Sequence, residues 1–190
     1  WVFAGYAHEL PGSGDSVPAE VAGFGVILTR NQSGSIRAYH NVCPHRGMYL
    51  LDKPLKNAPV IKCPYHGWAF DMDGALKSTP HWGGFKTHHL DGFDPSCHGM
   101  KSLRCEQWHD WVFVNLDAQA PSFEEYIGPI ESHFAGWDLS QFRYAHHDSF
   151  EFECNWKLAV ENFCDTYHVF KVHAALDEAY VPADRSTAHP

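Results

Sequence analysis

Cys43-Pro44-His45-Arg46-Gly47 and Cys63-Pro64-Tyr65-His66-Gly67-Trp68 decide the fold of this chain. Each stretch offers one cysteine and one histidine, spaced Cys-x-His in the first and Cys-x-x-His in the second. The 17 residues Arg46–Lys62 separate them. Two thiolates and two imidazoles on two tight loops suit a [2Fe–2S] cluster in which one iron takes both cysteines and the other both histidines. Imidazole in place of thiolate leaves such a cluster less negative and raises its reduction potential. Zinc is the rival, but structural zinc sites usually pair like with like, as Cys-x2–4-Cys and His-x3–5-His. Chance alignment is the third reading. The parallel prolines 44 and 64 and glycines 47 and 67 oppose it, because a glycine after each pair lets backbone amides turn toward the sulfurs.

Working outward, 190 residues allow one large domain or one and a half small ones. Apolar residues at 44% and charged ones at 19% describe an ordinary globular chain that can bury a core. Aromatic residues make up 15%, which favours β-rich packing or an aromatic-lined pocket. A net charge of −9 without a basic tract argues against a nucleic-acid partner. No run of 18 apolar residues occurs, so no membrane span is expected. Once Cys43 and Cys63 are assigned, Cys97, Cys105, Cys154 and Cys164 follow no secreted disulfide framework, and a cytoplasmic location is expected. The chain opens inside the strand-like Trp1-Val2-Phe3-Ala4 and stops at Pro190, so a piece of a longer protein is expected.

The first 117 residues read as short strands joined by turns. Val26–Thr29 and Ile36–Tyr39 flank the hairpin turn Asn31-Gln32-Ser33-Gly34. Val60–Lys62 leads into the second Cys/His loop, and Trp68–Phe70 runs to the turn Asp71-Met72-Asp73-Gly74. The stretch from Ser78 to Pro95 reads as loop, with His81, His88 and His89 as exposed loop histidines in preference to a metal site. Trp111–Leu116 is a continuous apolar run, expected as a buried closing strand. Ala118–Pro121 reads as a linker. Ser122-Phe123-Glu124-Glu125 offers a capping box, followed by Phe123, Ile127, Ile130 and Phe134 at helical spacing, with Pro129 limiting regularity. Phe150, Phe152, Cys154 and Trp156 alternate with polar residues, which predicts a half-buried strand. Lys157–Ala175 is expected to be helical but interrupted.

That last segment carries Asp165, His168 and His173. Two histidines and a carboxylate on one face of an iron leave positions open for dioxygen. Five residues on an ideal helix turn about 140° past one another, so His168 and His173 meet one metal only if the helix bulges, kinks or ends between them. Spacing alone leaves two readings open, a ligand pair or two amphipathic-helix histidines. Asp165, three residues before His168, is placed to accept from its imidazole if the helix continues; an exposed helix aspartate is the alternative. Around the first pair of loops, Arg46, Lys53, Lys56 and Lys62 stand against Asp52 alone, a local +3 in a chain of −9. Such a collar would steer an acidic electron donor, and scattered solvating side chains would look the same.

The two Cys/His loops resemble the Rieske loops of the Rieske non-haem iron oxygenases, in particular ring-hydroxylating oxygenase large (alpha) subunits. Asn155-Trp156-Lys157, Glu161-Asn162 and Asp165-x-Tyr167-His168-x4-His173 resemble the mononuclear-iron segment of the same family, in the same order. The resemblance covers nearly all of the chain but only the opening of the catalytic domain. It implies an α+β architecture. A β-sandwich Rieske [2Fe–2S] domain would span 1–117, a linker with a short helix 118–148, and the start of a helix-grip (START-like) catalytic domain 149–190.

The resemblance further implies that Cys43, His45, Cys63 and His66 hold the cluster and that His168 and His173 hold a mononuclear Fe(II). The third, carboxylate ligand would lie beyond Pro190; Asp177 and Asp184 are not assigned to it. Asp165 would bridge the centres, hydrogen-bonding a Rieske histidine of a neighbouring subunit and an iron-ligating histidine. Electrons from NAD(P)H would arrive through a separate reductase, with or without a ferredoxin, pass from cluster to iron, and activate O2 beside a small organic substrate. A homotrimer, or a trimer with small subunits, is implied. Aromatic ring dioxygenation leads. A monooxygenase or demethylase acting on a quaternary ammonium or N- or O-methylated compound follows, and a Rieske ferredoxin is remoter, since a carrier needs no Asp165, His168 and His173. Respiratory-chain Rieske subunits add a cysteine to each loop, and this chain does not. Residues 1–190 alone are not expected to turn over.

Overall fold

The structure is a computed structural model that describes residues 1–165 and 167–173. The chain divides into two compact units, Trp1–Phe142 and Arg143–Pro190. Six strands of the first unit form one antiparallel sheet. They are β1 (Val2–Tyr6), β2 (Ser16–Val21), β3 (Phe24–Arg30), β4 (Ile36–His40) and, later in the chain, β8 (Ser102–Trp108) and β9 (Trp111–Asn115), in the order β1-β9-β8-β4-β3-β2. Its two edges, β1 and β2, approach each other, so the sheet curls toward a barrel. Between β4 and β8 the chain inserts a small second sheet of β5 (Ile61–Lys62), β6 (Ala69–Phe70) and β7 (Leu76–Ser78).

The run Val26–Thr29 is buried on both faces because two cores share β3 and β4. Val26, Leu28 and Ala38 point into the barrel with Val17, Val112 and Val114. Ile27 and Tyr39 point the other way, onto a second core with Leu50, Leu51, Ile61, Trp68, Phe70 and both loop cysteines. Period-two alternation thus places the Cys/His loops directly over the outer face of the large sheet. The Asp71–Gly74 turn is fastened there: Thr29 Oγ1 and Tyr39 Oη both donate to Met72 O, at 2.9 and 3.3 Å.

The expected strand Trp111–Leu116 is β9, whose Val112 and Val114 are fully buried. Its other face is covered by α1 (Phe123–Phe134), where Phe123 packs on Trp1 and Phe113. Ser122 Oγ accepts from Glu125 N, and Pro129 sits inside the helix. Residues Ala118–Pro121, read as linker, are tied back to the sheet: Arg104 donates to Ala120 O and Pro121 O, and Trp1 Nε1 to Pro121 O.

Asp15 is buried and pins the stretch that joins the two Cys/His loops. Its carboxylate accepts from Asn57 N at 2.8 Å and Gly12 N at 3.0 Å, and Lys56 Nζ lies 3.7 Å away. Burial alone would push this carboxyl up, but those amides and Lys56 outweigh it and hold it below the ordinary aspartate value. A depressed folded-state value means that the stabilisation is fully present above the unfolded value of 3.8 and is lost as pH falls through the lower folded one. Asp15→Asn should therefore lower the melting temperature at pH 6–7 and lose that deficit as pH falls through the lowered folded-state value. A deficit that stays constant from neutral pH down through acid pH would show that its charge does not contribute.

In the second unit, α2 (Trp156–Cys164) and the single turn α3 (Val169–Val172) form the interrupted helical segment that the sequence predicts. The predicted strand over Phe150–Trp156 is absent. These residues pair with nothing as a ladder among the described residues, Phe150 and Phe152 are exposed, and Trp156 already begins α2. Asn155 Oδ1 accepts from Lys157 N at 3.0 Å, an N-cap that stops extended backbone and starts helix. Alternation specifies two faces but supplies no hydrogen-bonding partner strand, and without one a strand does not form. The expected helix end near Ala175 lies outside the described residues, as do Asp177 and Asp184. No helix among the described residues is long and apolar enough to cross a membrane.

Candidate metal centres

The two Cys/His loops are one backbone device used twice. Gly47 N donates to Cys43 O and Cys43 N to Met48 O, at 3.0 and 2.8 Å. Gly67 N donates to Cys63 O and Cys63 N to Trp68 O, at 3.0 and 2.7 Å. Both glycines sit in the left-handed region, φ +70° and +72°, where an L side chain is strained. With the frames equal, the unequal spacing puts histidine at the third place of one loop and the fourth of the other. His45 is consequently half-buried and His66 exposed, while Cys43 and Cys63 are buried and free.

The four residues meet as a cysteine pair and a histidine pair. Cys43 touches Cys63, and the rings of His45 and His66 stand edge to face with centres 4.7 Å apart. Burial pushes the Cys43 thiol up, as does Cys63, while the amides of His45 and Arg46 directed at its sulfur act the other way. His45 is held below the ordinary histidine value by burial first, then by His66 and Arg46. Its ring stacks on Trp68 at 4.6 Å, nearly parallel, and its Nδ1 is buried with no protein partner. Among the described residues no three His, Cys, Asp or Glu side chains surround a single metal position.

Asn41 was not singled out by the sequence, and it braces the first loop. It is buried, its Oδ1 accepts from Leu50 N and Leu51 N at 3.0 Å each, and its Nδ2 donates to Leu51 O at 2.6 Å. One side chain thereby closes the two ends of the Cys43–Met48 turn. Asn41→Ala strands three buried backbone groups and should cost on the order of 2–4 kcal/mol. A shifted denaturant midpoint at unchanged slope would measure this, and a change below about 0.5 kcal/mol would contradict it.

The cationic collar is partly engaged. Lys56 donates to Glu9 O and faces Asp15, so it serves the fold, whereas Arg46, Lys53 and Lys62 are exposed. The loop histidines act as acceptors: His81 N donates to His88 Nδ1 at 3.0 Å, and Lys86 N to His81 Nδ1 at 2.8 Å. His89 lies 3.6 Å from Asp91.

In the second unit the helix breaks before His168 and again at His173, and not between the two as the ligand reading of the sequence expects. α2 stops at Asp165, whose backbone is extended (φ −78°, ψ 118°). His168 caps the start of α3, and His173 leaves it at φ −123°, ψ 52°. Unwinding on both sides of one turn brings the two histidine rings to 5.4 Å between centres. With metal–nitrogen bonds of about 2.1 Å, two imidazoles at roughly right angles round one ion place their ring centres about 5 Å apart. Asp165 reaches His168 from a turn and not, as expected, along a helix face. Its Oδ1 accepts from Tyr167 N at 2.8 Å, and its Oδ2 lies 2.9 Å from His168 Nδ1. The His168 bond first, then the Tyr167 amide, hold the Asp165 carboxyl below its ordinary value, so it is an anion at neutral pH.

Two family models match in series: the Rieske [2Fe-2S] domain over residues 1–90 and the ring hydroxylating alpha subunit (catalytic domain) over residues 139–189. The large oxygenase component of the naphthalene 1,2-dioxygenase system of Pseudomonas aeruginosa is 36% identical over 186 residues, covering 92% of this chain and 39% of that protein. The carnitine monooxygenase oxygenase subunit of Escherichia coli K12 is 30% identical over 187 residues, covering 97% and 48%. Among solved structures, a quaternary ammonium Rieske monooxygenase matches with a TM-score of 0.80 at 30% identity, over 93% of this chain and 48% of that one. Naphthalene 1,2-dioxygenase with indole bound matches at 0.79 and 30%, over 100% and 44%. The chain thus spans two-fifths to one-half of the length of the relatives it matches. With both models in order along the sequence and the same fold in relatives of both kinds, the chain belongs to the family of Rieske oxygenase large subunits.

Proposed function

We propose that the chain carries the electron-accepting half and the first two iron ligands of an oxygenase that inserts oxygen from O2 into a small organic substrate. When bound, the [2Fe–2S] group passes single electrons and the mononuclear Fe(II) activates dioxygen. Cys43, His45, Cys63 and His66 are assigned to the cluster, and His168 and His173 to the iron. The observation that carries this is the buried, unpartnered Nδ1 of His45, beside two buried free thiols. A polar nitrogen sealed from water without a partner is costly, and a metal there removes the cost. The cysteines lie inward and His66 outward, so a cluster held here would present its histidine edge to an electron donor or acceptor.

Asp165 orients His168. Accepting from Nδ1–H fixes the tautomer in which Nε2 carries the lone pair, the form a metal needs, and the carboxylate strengthens that nitrogen as a donor. Asp165→Asn should keep the cluster and the iron while slowing coupled turnover on the order of 10–100-fold. Iron content measured with steady-state product formation checks this, and loss of the iron itself would make Asp165 a ligand or a folding residue. The domain limits 1–117, 118–148 and 149–190 are retained as proposed functional boundaries. A trimer in which Asp165 faces a neighbouring subunit's cluster, and a reductase or ferredoxin donor met by Arg46, Lys53 and Lys62, complete the reading.

Ring dioxygenation leads, because the naphthalene-type relatives are 35–36% identical and the carnitine and glycine betaine types 28–30%. Monooxygenation of a quaternary ammonium compound is kept because a structure of that class matches equally well. A single turnover of the complete, reduced protein under labelled dioxygen, with arenes and quaternary amines supplied, separates them. Two labelled oxygens in a dihydrodiol support the first, and one labelled oxygen or released aldehyde supports the second. No oxygenated product from either class, with both metals in place, would count against both.

A further inference from the structure

Only two buried side-chain nitrogens or oxygens among the described residues lack a partner, His45 Nδ1 and Trp82 Nε1, and their rings touch. The first is accounted for by the proposed cluster. The second has no role in it so far. Trp82 was not marked by the sequence, which read residues 78–95 as loop.

The indole is carried on a tightly bonded turn. Trp82 N donates to Thr79 O, and the turn that follows is closed by Gly84 N to His81 O, Thr87 N to Gly84 O and Gly83 N to Thr87 O. The ring packs against the core beneath the two loops, with Phe93 5.5 Å away. His45 and Trp68 are stacked with centres 4.6 Å apart and planes within 5°. Trp82 is 5.1 Å from His45 and 5.3 Å from Trp68, and close to perpendicular to both, at 89° and 86°. Three centres at nearly equal distances mean that Trp82 flanks the side of the stack and caps the face of neither ring. Its N–H is therefore not spent on the face of His45 or Trp68, and it is shut off from water beside the ring whose own buried nitrogen is open.

We infer that Trp82 Nε1–H donates a hydrogen bond to a sulfur of the [2Fe–2S] group held by His45 and its three partners. The inference rests on the ligand assignment proposed above. A donor to a cluster sulfur stabilises the more negative, reduced state, so it raises the reduction potential. Trp82 is on this account a tuning residue for electron acceptance, and it acts without binding iron.

The test is a redox titration of the cluster-loaded complete protein and its Trp82→Phe variant, which keeps an aromatic ring and removes the N–H. The expected result is an unchanged visible absorption pattern with a roughly tenfold less favourable reduction, a shift of about −59 mV for one electron. An unshifted potential overturns the inference. Because the variant can fail to retain the cluster, a second measurement uses wild-type protein grown with indole-15N tryptophan. Its reduced cluster should show magnetic coupling to a solvent-exchangeable proton bound to labelled nitrogen. Absence of that coupling overturns the inference, and so does a coupling that persists in Trp82→Phe, which would belong to Trp68. If the wild-type protein shows no [2Fe–2S] spectrum at all, the ligand assignment fails and takes the indole bond with it. A normal spectrum with neither shift nor coupling removes the indole bond alone.

Discussion

His66→Ala is expected to abolish the visible and paramagnetic signature of the cluster while leaving a folded protein. His66 is the exposed member of the histidine pair, its ring 4.7 Å from His45 and 3.8 Å from Tyr65, so few packing contacts disappear with it. The barrel core of Val17, Val26, Leu28, Val112 and Val114 does not include it. What is lost is one of the two nitrogens assigned to one iron, and alanine offers no replacement donor. His66→Cys is the informative companion. A third thiolate should hold a cluster whose potential lies well below that of the parent, because sulfur ligation makes the group more negative. If His66→Ala kept a full spectrum, the Cys-x-x-His half of the assignment would be wrong.

His168→Ala is expected to have the opposite pattern in the complete protein. The cluster spectrum should be unchanged, since the four residues assigned to it all lie in the Trp1–Phe142 unit. Product formation should fall by more than about 100-fold, beyond the loss typical when only an outer partner of a ligand is removed. Iron analysis should show that the mononuclear metal has gone and the cluster iron has stayed. Asp165 would then lose the imidazole that chiefly holds its carboxyl down, so its titration should move up toward the ordinary aspartate value. Full activity in His168→Ala would remove the second metal centre from the account.

Much of this was legible in the chain because the decisive chemistry is local. Each Cys/His loop carries its own proline, histidine and left-handed glycine within five residues, so its turn follows from sequence alone. The hairpin at Asn31–Gly34 and the turn at Asp71–Gly74 are equally local. The five-residue gap between His168 and His173 called for a break between them if both bind one metal; the turn α3 spans that gap instead, and the breaks lie before His168 and at His173. What could not be read depends on groups far apart in sequence. Asn41 matters because Leu50 and Leu51 return to it, and Lys56 left the collar because Asp15 crosses the fold to meet it. Trp82 is set apart only by its ring lying against His45, 37 residues away in the chain. The Phe150–Trp156 pattern misled for the same reason, since alternation names the faces of a strand and not its neighbour.

The most direct test is Mössbauer spectroscopy of the complete protein loaded with 57Fe. Expected are two inequivalent cluster irons, one in an all-sulfur environment and one with nitrogen donors, and a separate high-spin ferrous site that is lost selectively in His168→Ala. Two equivalent sulfur-ligated irons, or zinc occupying the Cys43–His66 loops, would contradict it.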